Sequence, residues 1–194
     1  MTDERLRTDD EAPGMESRML SRCKAGDKTA FRWVVQTCQR RVFSLALKML
    51  ADEEEAKDVV QETFIRVWQN IGDYDTQRSF STWLYTIAAR LCLNSLKRKN
   101  RTLPLPEDEG VLRRFAANTD SHRELETREW VSMVRLMAGE LSSKQRLVFT
   151  LCQLEGLPSA EVEQITGLDA RQVKSNLYVA RQTIRKRLKE LGYE

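Results

Sequence analysis

Along most of this 194-residue chain, apolar residues recur every three or four positions, the spacing that places them on one face of an α-helix. This period runs from about residue 15 to 98 and returns from about residue 127 to 190. No useful length of alternating apolar and polar residues, no Asn-Gly hairpin turn and no internal repeat interrupts it. The pattern therefore predicts an all-α protein.

The helical period fails between residues 99 and 127, where Pro104, Pro106, three acids at 107–109 and a polar run at 118–121 occur. Only residues 111–117 suggest a short helix. Nearly thirty residues without regular structure are unusual inside one domain, so we predict two small helical domains joined by a flexible linker. The expected division is an acidic, frayed tail at 1–14, a first domain at 15–98, the linker at 99–127 and a second domain at 128–194.

The charge of the chain is segregated, although its net value is only +3. Residues 1–16 carry six acids and two bases, and residues 52–62 carry six acids and one base. Residues 86–101 carry five bases, residues 170–189 carry seven, and neither stretch contains an acid. Blocks of opposite sign indicate surfaces that meet different partners.

Several classes of function are disfavoured by the residue content. The chain has one histidine, His122, no glycine-rich phosphate loop and no Cys-x-x-Cys pair, so we predict no enzymatic activity, no metal and no cofactor. The cysteines have apolar neighbours at helical spacing and fit small core residues in a reducing compartment, although a redox role for Cys23 or Cys38 stays open. No apolar run is long enough to span a membrane and the acidic N-terminus does not resemble a signal peptide, so we expect a cytoplasmic protein. The four cysteines are Cys23, Cys38, Cys92 and Cys152.

The segment Phe80–Arg101 predicts a helix with two different faces. One face is apolar and suits burial, whereas the other is aromatic, polar and basic, and suits a polyanion. The alternative is a solvated basic face with a half-buried Trp83 at its edge. The apolar face holds Phe80, Leu84, Ile87, Ala88, Leu91 and Ser95, and the second face holds Trp83, Thr86, Arg90, Asn94 and Lys97.

The preceding helix, from about residue 52 to 68, begins with three glutamates, which suit the positive end of a helix dipole. Ile65 and Trp68 lie near its exposed face and indicate a contact with another protein. The alternative for Trp68 is packing at the helix end. The outward stripe comprises Asp58, Gln61, Glu62, Ile65, Arg66 and Trp68.

The C-terminal region has the order of a helix-turn-helix: a short helix after Pro158, a turn at Thr166-Gly167-Leu168, and a longer helix over 170–190. Capping boxes are predicted at 142–145 and 169–172. If the longer helix enters a major groove, its N-terminal half reaches base edges and the later cations meet phosphates. The alternative is a basic amphipathic helix that closes a small bundle. The outward residues are Arg171, Lys174, Ser175, Tyr178, Arg181 and Arg185, with Lys186 and Arg187 beyond them.

Four motifs in order resemble those of the extracytoplasmic-function (ECF) group of bacterial sigma-70 factors. The opening of the first domain is similar at Ala25-Gly26-Asp27 with Ala30-Phe31. The most recognisable motif is matched by the run AKDVVQETFIRVW at 56–68, and the next by FSTWLYTIA at 80–88. Residues 157–181 resemble the promoter-reading helix-turn-helix of these factors.

This resemblance implies partners and residue roles. The acidic helix would dock on the clamp helices of core RNA polymerase, with polar contacts from Asp58, Gln61, Glu62 and Arg66. The 70–80 loop and the following helix would bind and separate the −10 promoter element. The second domain would read the −35 element and touch the polymerase flap, and the linker would thread near the RNA exit path. In this scheme Trp83, Arg90, Asn94 and Lys97 face DNA, and Tyr74, Arg78 and Ser79 are candidates to hold a flipped base.

The resemblance also implies regulation by an anti-sigma factor, expected to be membrane-associated, and no small-molecule substrate. The sequence departs from the family in four places. Pro158 replaces the usual Ser or Thr, where Ser159 could take over the cap, and Glu163 replaces a small residue. Asn176 and Val179 fill positions that are often basic, which leaves the −35 sequence in doubt.

Two other functions compete with this interpretation. The first is a stand-alone helix-turn-helix regulator that binds duplex DNA without polymerase. The second is a helical adaptor that binds only protein through its acidic helix.

Overall fold

Helices make up nearly all regular structure in the computed structural model, which describes residues 13–76, 78–99, 136–137, 139–190 and 192. No strand occurs within these ranges, and the all-α prediction is confirmed. A 3-10 turn at Ile71–Asp73 follows the third helix, and a π-helical turn at Thr150–Leu154 continues the fifth. Of the predicted tail at 1–14 and the predicted linker at 99–127, residues 1–12 and 100–127 lie outside the described residues, as do the short helix predicted at 111–117 and His122. The remaining residues of these two segments are helical, because the first helix begins at Pro13 and the fourth ends at Lys99. The helices are α1 (Pro13–Lys24), α2 (Lys28–Leu50), α3 (Glu53–Asn70), α4 (Phe80–Lys99), α5 (Ser143–Phe149), α6 (Ser159–Thr166) and α7 (Ala170–Glu190).

Short polar side chains begin these helices where the sequence predicts them. The Asp27 carboxylate accepts the backbone N–H groups of Thr29 and Ala30 at the start of α2. Asp52 accepts the N–H of Glu55 at the start of α3, 3.0 Å away. Each acceptor satisfies an N–H that has no partner inside its helix. Gly26, at φ 83°, makes the left-handed turn between α1 and α2.

The N-terminal unit is a four-helix bundle built around α2, which packs against α1, α3 and α4. Its interior contains the fully buried side chains of Val34, Leu45 and Val67, and Leu84 of α4 closes it. The apolar stripes predicted for α2, α3 and α4 all point into this core. The helical period of the sequence therefore sets which face each helix buries.

The C-terminal unit is smaller, and it has its own apolar centre where α5 packs against α7. Phe149 meets Ala180 and Ile184 there, together with Met137 and Leu141 from the segment before α5. α6 packs against α7. The chain reverses between them at Gly167, whose φ is 71°. A residue with a side chain would be strained in that conformation.

The two units also share a core, which the sequence does not predict. Leu147, Val148 and Leu151 join the same apolar cluster as α1–α4, and so do Val162 and Ile165 of α6. α6 packs directly against α4, and the turn after α5 packs against α2. The last six residues of α2 are consequently buried on every side, Lys48 included.

All four cysteines are free thiols, and Cys23, Cys38 and Cys92 are buried. Burial raises the pKa of Cys38 to about 11 and that of Cys92 to about 12, and it also raises the pKa of Cys23. Burial therefore disfavours the thiolate on which a redox role would depend. Among the described residues, no group of three or more His, Cys, Asp or Glu could hold a metal ion, and no helix is long and apolar enough to cross a membrane.

Candidate polymerase and nucleic-acid interfaces

The outward face of α3 is acidic and largely exposed, as predicted. Asp58, Gln61 and Arg66 are exposed, and Glu62 is half-buried. The Arg66 Nε donates to a Glu62 carboxylate oxygen at 2.7 Å, one turn away. A partner that binds this face therefore meets a pre-formed ion pair beside the exposed side chains of Asp58 and Gln61.

Two apolar side chains extend this face of α3. Ile65 is 43% exposed, which is unusual for a large aliphatic residue. Trp68 is half-buried, and its ring lies 4.8 Å from that of Phe31 on α2. The alternative in which Trp68 packs at the helix end is thus partly correct, whereas Ile65 is available to a protein partner.

The loop between α3 and α4 is built on an aromatic cluster. The centre of the Tyr74 ring lies 5.1 Å from that of Trp83, in a tilted arrangement, and 5.6 Å from that of Phe80, edge to face. The Tyr74 hydroxyl donates to the carbonyl oxygen of Arg78 at 2.5 Å, which closes the loop on itself. Tyr74 is only 5% exposed, and burial raises its pKa.

This burial corrects the expectation that Tyr74 touches a flipped base. In this structure Tyr74 supports the loop from inside, because its ring and hydroxyl are both engaged with the protein. Arg78 and Ser79 are exposed at the loop surface, as the sequence predicts. The Arg78 guanidinium lies 3.7 Å from Asp75, and Ser79 accepts the N–H of Thr82 at 3.4 Å.

The basic stripe of α4 is exposed along its length. Arg90, Asn94 and Lys97 project to solvent, and Trp83 is half-buried at the end nearest the loop. The stripe therefore runs from an aromatic ring to two cations, an arrangement that suits stacking with bases and neutralisation of phosphates.

One groove joins the α3 and α4 surfaces. It has a volume of about 550 Å³. Asp58, Glu62 and Glu55 line its acidic wall on α3, and Lys97 and Asn94 line its opposite wall on α4. Two surfaces of opposite charge thus lie side by side, so that partners bound to each of them would be neighbours.

The helix-turn-helix is formed as predicted. Asp169 accepts the N–H of Gln172 at 2.8 Å, and the Gln172 side chain accepts the N–H of Asp169 at 3.1 Å, which completes the capping box of α7. The second predicted box, between Ser142 and Gln145, is also formed. The inner stripe of α7 includes the buried Val173, whereas all six predicted DNA-facing residues are exposed. These six are Arg171, Lys174, Ser175, Tyr178, Arg181 and Arg185.

Side-chain contacts hold two arginines on the basic side of α7. The Arg181 Nε donates to the Gln153 side-chain oxygen at 3.2 Å, which ties α7 to the π-helical turn. Arg187 forms ion pairs with Glu140 and Glu190. Arg187, which the sequence places among the phosphate contacts, is therefore engaged within the protein.

Pro158 and Glu163, the two departures from the family pattern in and before α6, are accommodated differently from what the sequence suggests. No described side chain caps the N-terminus of α6, so Ser159 does not replace the missing Ser or Thr. The Ser159 hydroxyl donates instead to Glu163, at 3.4 Å. Glu163 is half-buried and finds this partner inside α6 without disturbing the turn.

Between the two units lies a polar cluster that sequence reasoning missed. The Lys48 Nζ is 2.5 Å from a Glu155 carboxylate oxygen, and both side chains are close to 90% buried. The Tyr85 hydroxyl donates to the other oxygen of Glu155 at 3.0 Å. Burial, followed by the Glu155 charge, raises the pKa of Tyr85.

Two further hydrogen bonds cross the same interface. The Thr82 hydroxyl donates to Glu161 of α6 at 2.7 Å, and an Arg146 N–H donates to the carbonyl oxygen of Met49 at 2.7 Å. Burial lowers the pKa of Arg146 to about 10. A signal for this interface was present in the almost continuous apolar run at 45–50, since a helix that is apolar all round is usually buried all round.

Each of the two units matches a family of known proteins. The family model for sigma-70 region 2 matches residues 34–102, and the model for sigma-70 region 4 matches residues 132–184. The ECF RNA polymerase sigma factor SigW of Bacillus subtilis is 28% identical over 184 residues, which cover 91% of this chain and 98% of SigW.

Two solved structures share the fold. CnrH, in complex with the cytosolic domain of CnrY, aligns with a TM-score of 0.67 and 22% identity over 91% of this chain and 98% of CnrH. The sigma factor RpoE of Bartonella quintana, in complex with the anti-sigma factor NepR, aligns with a TM-score of 0.61 and 16% identity over 82% of this chain and 96% of RpoE.

Proposed function

This chain belongs to the ECF group of the sigma-70 family, and we propose how its surfaces divide the work of such a factor, which binds core RNA polymerase and directs initiation at specific promoters. The observation that carries the proposal is the groove in which the acidic face of α3 adjoins the basic face of α4. A protein surface and a nucleic-acid strand can bind side by side there. The helix-turn-helix supplies a second, separate DNA contact.

The α3 face is the polymerase-docking surface. Exposed Ile65 offers an apolar anchor, and Asp58, Gln61, Glu62 and Arg66 surround it with polar groups. An apolar centre with a polar rim is the usual anatomy of a specific protein interface. We assign the polymerase clamp helices as the partner of this face because of the family resemblance.

The α4 face and its loop bind the −10 element. Arg90 and Lys97 neutralise phosphates, Asn94 offers hydrogen bonds, and Trp83 offers a ring for a base. Exposed Arg78 and Ser79 are placed to line the pocket of a flipped base, whose extrusion costs a few kcal/mol. Tyr74 supports that pocket from beneath.

The α7 helix reads the −35 element. Arg171, Lys174 and Ser175 occupy its first turns after the capping box, where a recognition helix reaches base edges. Tyr178 is 63% exposed and continues the same face. Arg181 and Arg185 lie further along, where phosphate contacts are expected. The polymerase flap is the proposed protein partner of this unit.

The −10 and −35 elements of one promoter cannot be bound at the same time while the C-terminal unit is packed against the N-terminal unit. The −10 and −35 elements lie about 25 base pairs apart, which is about 85 Å of duplex. In the structure α6 packs on α4 and on α7, so at helix-packing distances of 8–10 Å the recognition helix is at most about 20 Å from α4. We infer that the two units separate when the factor binds polymerase and promoter.

We propose an anti-sigma factor as the regulatory partner, and we propose that the chain acts in the cytoplasm without catalysis of its own. CnrH and RpoE, which share the fold, were solved with the cytosolic domain of CnrY and with the anti-sigma factor NepR. A partner that covers the α3 face would block polymerase docking directly.

The deciding experiment is run-off transcription from a library of promoters with core polymerase, with and without this protein. We expect transcripts that depend on the protein and that share two sequence elements. Failure to initiate on any template would overturn the proposal.

Two controls separate the competing functions. Tight, sequence-specific binding to promoter duplex without core polymerase would favour a stand-alone regulator. An adaptor that binds only protein would keep its activity when Arg171 and Lys174 are both replaced by glutamate.

A further inference from the structure

The loop that holds the proposed base pocket is anchored from a helix that no family model covers. The region 2 match begins at residue 34, whereas α1 ends at Lys24. α1 nevertheless packs against the 3-10 turn at Ile71–Asp73, where the loop begins. This contact places α1 next to the loop that is proposed to bind the −10 element together with α4.

Lys24 makes two contacts with one loop residue. Its Nζ donates to the carbonyl oxygen of Tyr74 at 2.5 Å. The same ammonium lies 5.5 Å from the centre of the Tyr74 ring, within the range of a cation–π interaction. Both the backbone and the ring of Tyr74 are thus held by one cation.

Tyr74 passes this restraint to both sides of the proposed pocket. Its hydroxyl donates to the Arg78 carbonyl oxygen, which sets the position of the exposed Arg78 and Ser79. Its ring packs against Trp83, the aromatic residue at the start of the α4 stripe. A shift of Tyr74 would therefore move both the loop and the stacking ring.

The docking of α1 itself does not depend on Lys24. Leu20 is 6% exposed and Cys23 is 1% exposed, so these side chains hold α1 on the bundle. Lys24 itself is an exposed residue. Removal of its charge should leave the fold in place, which separates a positioning role from a structural one.

We propose that Lys24 is a positioning residue for promoter opening, which holds Tyr74 so that the loop and Trp83 form the pocket for a flipped −10 base. This inference rests on the proposed function. It assigns α1 a part in promoter melting that extends the −10 apparatus beyond the matched region 2.

The test compares Lys24→Met with Lys24→Arg and with Lys28→Met in the full chain. Arginine keeps the donor and the cation, and Lys28 is an exposed lysine at the start of α2. Each variant is assembled with core polymerase on the strongest promoter from the library, and the lifetime of heparin-resistant open complexes is measured. We expect Lys24→Met to shorten it about three- to tenfold, from the loss of a cation–π contact and a charged hydrogen bond. Lys24→Arg and Lys28→Met should behave like the wild type.

Two accompanying measurements distinguish positioning from misfolding. Affinity for core polymerase should be unchanged in Lys24→Met, and the thermal unfolding midpoint should fall by no more than about 2–4 °C. Amide hydrogen exchange at Tyr74 and Arg78 in the free protein should become faster, and Tyr74→Phe should reproduce the faster exchange at Arg78 because it removes the hydroxyl bond.

Three results would overturn the inference. The first is an unchanged open-complex lifetime in Lys24→Met on a promoter where the wild type initiates, which leaves the proposed function intact. The second is an equal loss in Lys24→Met and Lys24→Arg, since the cation would then be irrelevant. The third is failure of the wild type to initiate at all, which overturns the proposed function together with the promoter role of Lys24.

Discussion

Replacement of Glu155 by glutamine should release the C-terminal unit from the N-terminal one. Glu155 accepts from Lys48 at 2.5 Å and from the Tyr85 hydroxyl at 3.0 Å, so it joins α2 and α4 to the turn after α5. Glutamine keeps the shape and an acceptor oxygen but leaves the Lys48 ammonium without its counter-charge. Because the Lys48 side chain is only 11% exposed, water cannot fully replace that charge.

The expected loss follows from the burial. Neutralising one partner of a buried ion pair costs about 3–5 kcal/mol. The value for Glu155→Gln should lie near the lower end, about 3 kcal/mol, because the amide oxygen still accepts from Lys48 and the Tyr85 hydroxyl can accept from the amide NH2 instead of donating. A change of this size shifts the docking equilibrium about a hundredfold toward separated units.

Energy transfer between dyes on the two units measures this equilibrium. Gln69 of α3 and Gln182 of α7 are exposed and suit labelling. The urea midpoint for loss of transfer should fall in Glu155→Gln, whereas the helical circular dichroism should persist to higher urea. Lys57→Met is the matched control, because it breaks an exposed ion pair with Glu53 on α3 and should barely move the midpoint.

A double variant tests the cause of the effect. In Lys48→Met with Glu155→Gln neither member of the pair leaves a buried charge without its partner, so most of the docking should return. The reasoning is refuted if Glu155→Gln shifts the midpoint no more than Lys57→Met does. It is also refuted if the double variant is as weak as the single one, since the unpaired charge would then not be the cause.

Three further predictions concern other parts of the molecule. Asp58→Arg should weaken binding to core polymerase about tenfold or more, because like charges would then face each other in a docked interface. Competition with another sigma factor measures this affinity. Binding of the variant to single-stranded DNA should be unimpaired. Arg171→Glu combined with Lys174→Glu should reduce transcription from promoters that need the −35 element about a hundredfold, since each base contact contributes about 1–3 kcal/mol; equal activity on such promoters would remove α7 from the reading role. The raised pKa of Cys38 means that its folded form favours the neutral thiol. Its contribution to stability is therefore complete below pH 9 and is lost as the pH rises toward about 11. Cys38→Ala should flatten the fall in unfolding free energy between these pH values. An unchanged pH profile of the unfolding free energy would contradict the raised pKa of Cys38.

Local features of the fold were predictable because they depend on neighbouring residues. Asp27 and the Asp169–Gln172 box sit where short polar side chains precede apolar periods, and both cap helices as expected. The exposed stripes on α3, α4 and α7 also follow from the helical repeat, since opposite faces of one helix meet different surroundings. The four motifs, taken in order along the chain, identified the family.

Two predictions failed where the direction of a side chain decided its role. Tyr74 sits in a polar loop and suggests an exposed contact, yet Lys24, Phe80 and Trp83 enclose it. Ser159 has the right chemistry for a cap, but its hydroxyl reaches Glu163. The spacing allows both the expected contacts and the observed ones, so the sequence alone does not choose between them. For Tyr74 the choice is made by packing against Lys24 of α1, and for Ser159 by the rotamer that turns its hydroxyl toward Glu163.

The sequence by itself determined the helices, their caps, their buried faces and the family to which the chain belongs, since all of these arise from patterns within about a turn or two of helix. Only the tertiary structure decided that the two units share a core and that Lys48 is buried against Glu155. The physical reason is that these contacts join residues 107 positions apart. Their free energy depends on the burial that both units create together, and that burial exists only once the helices have packed.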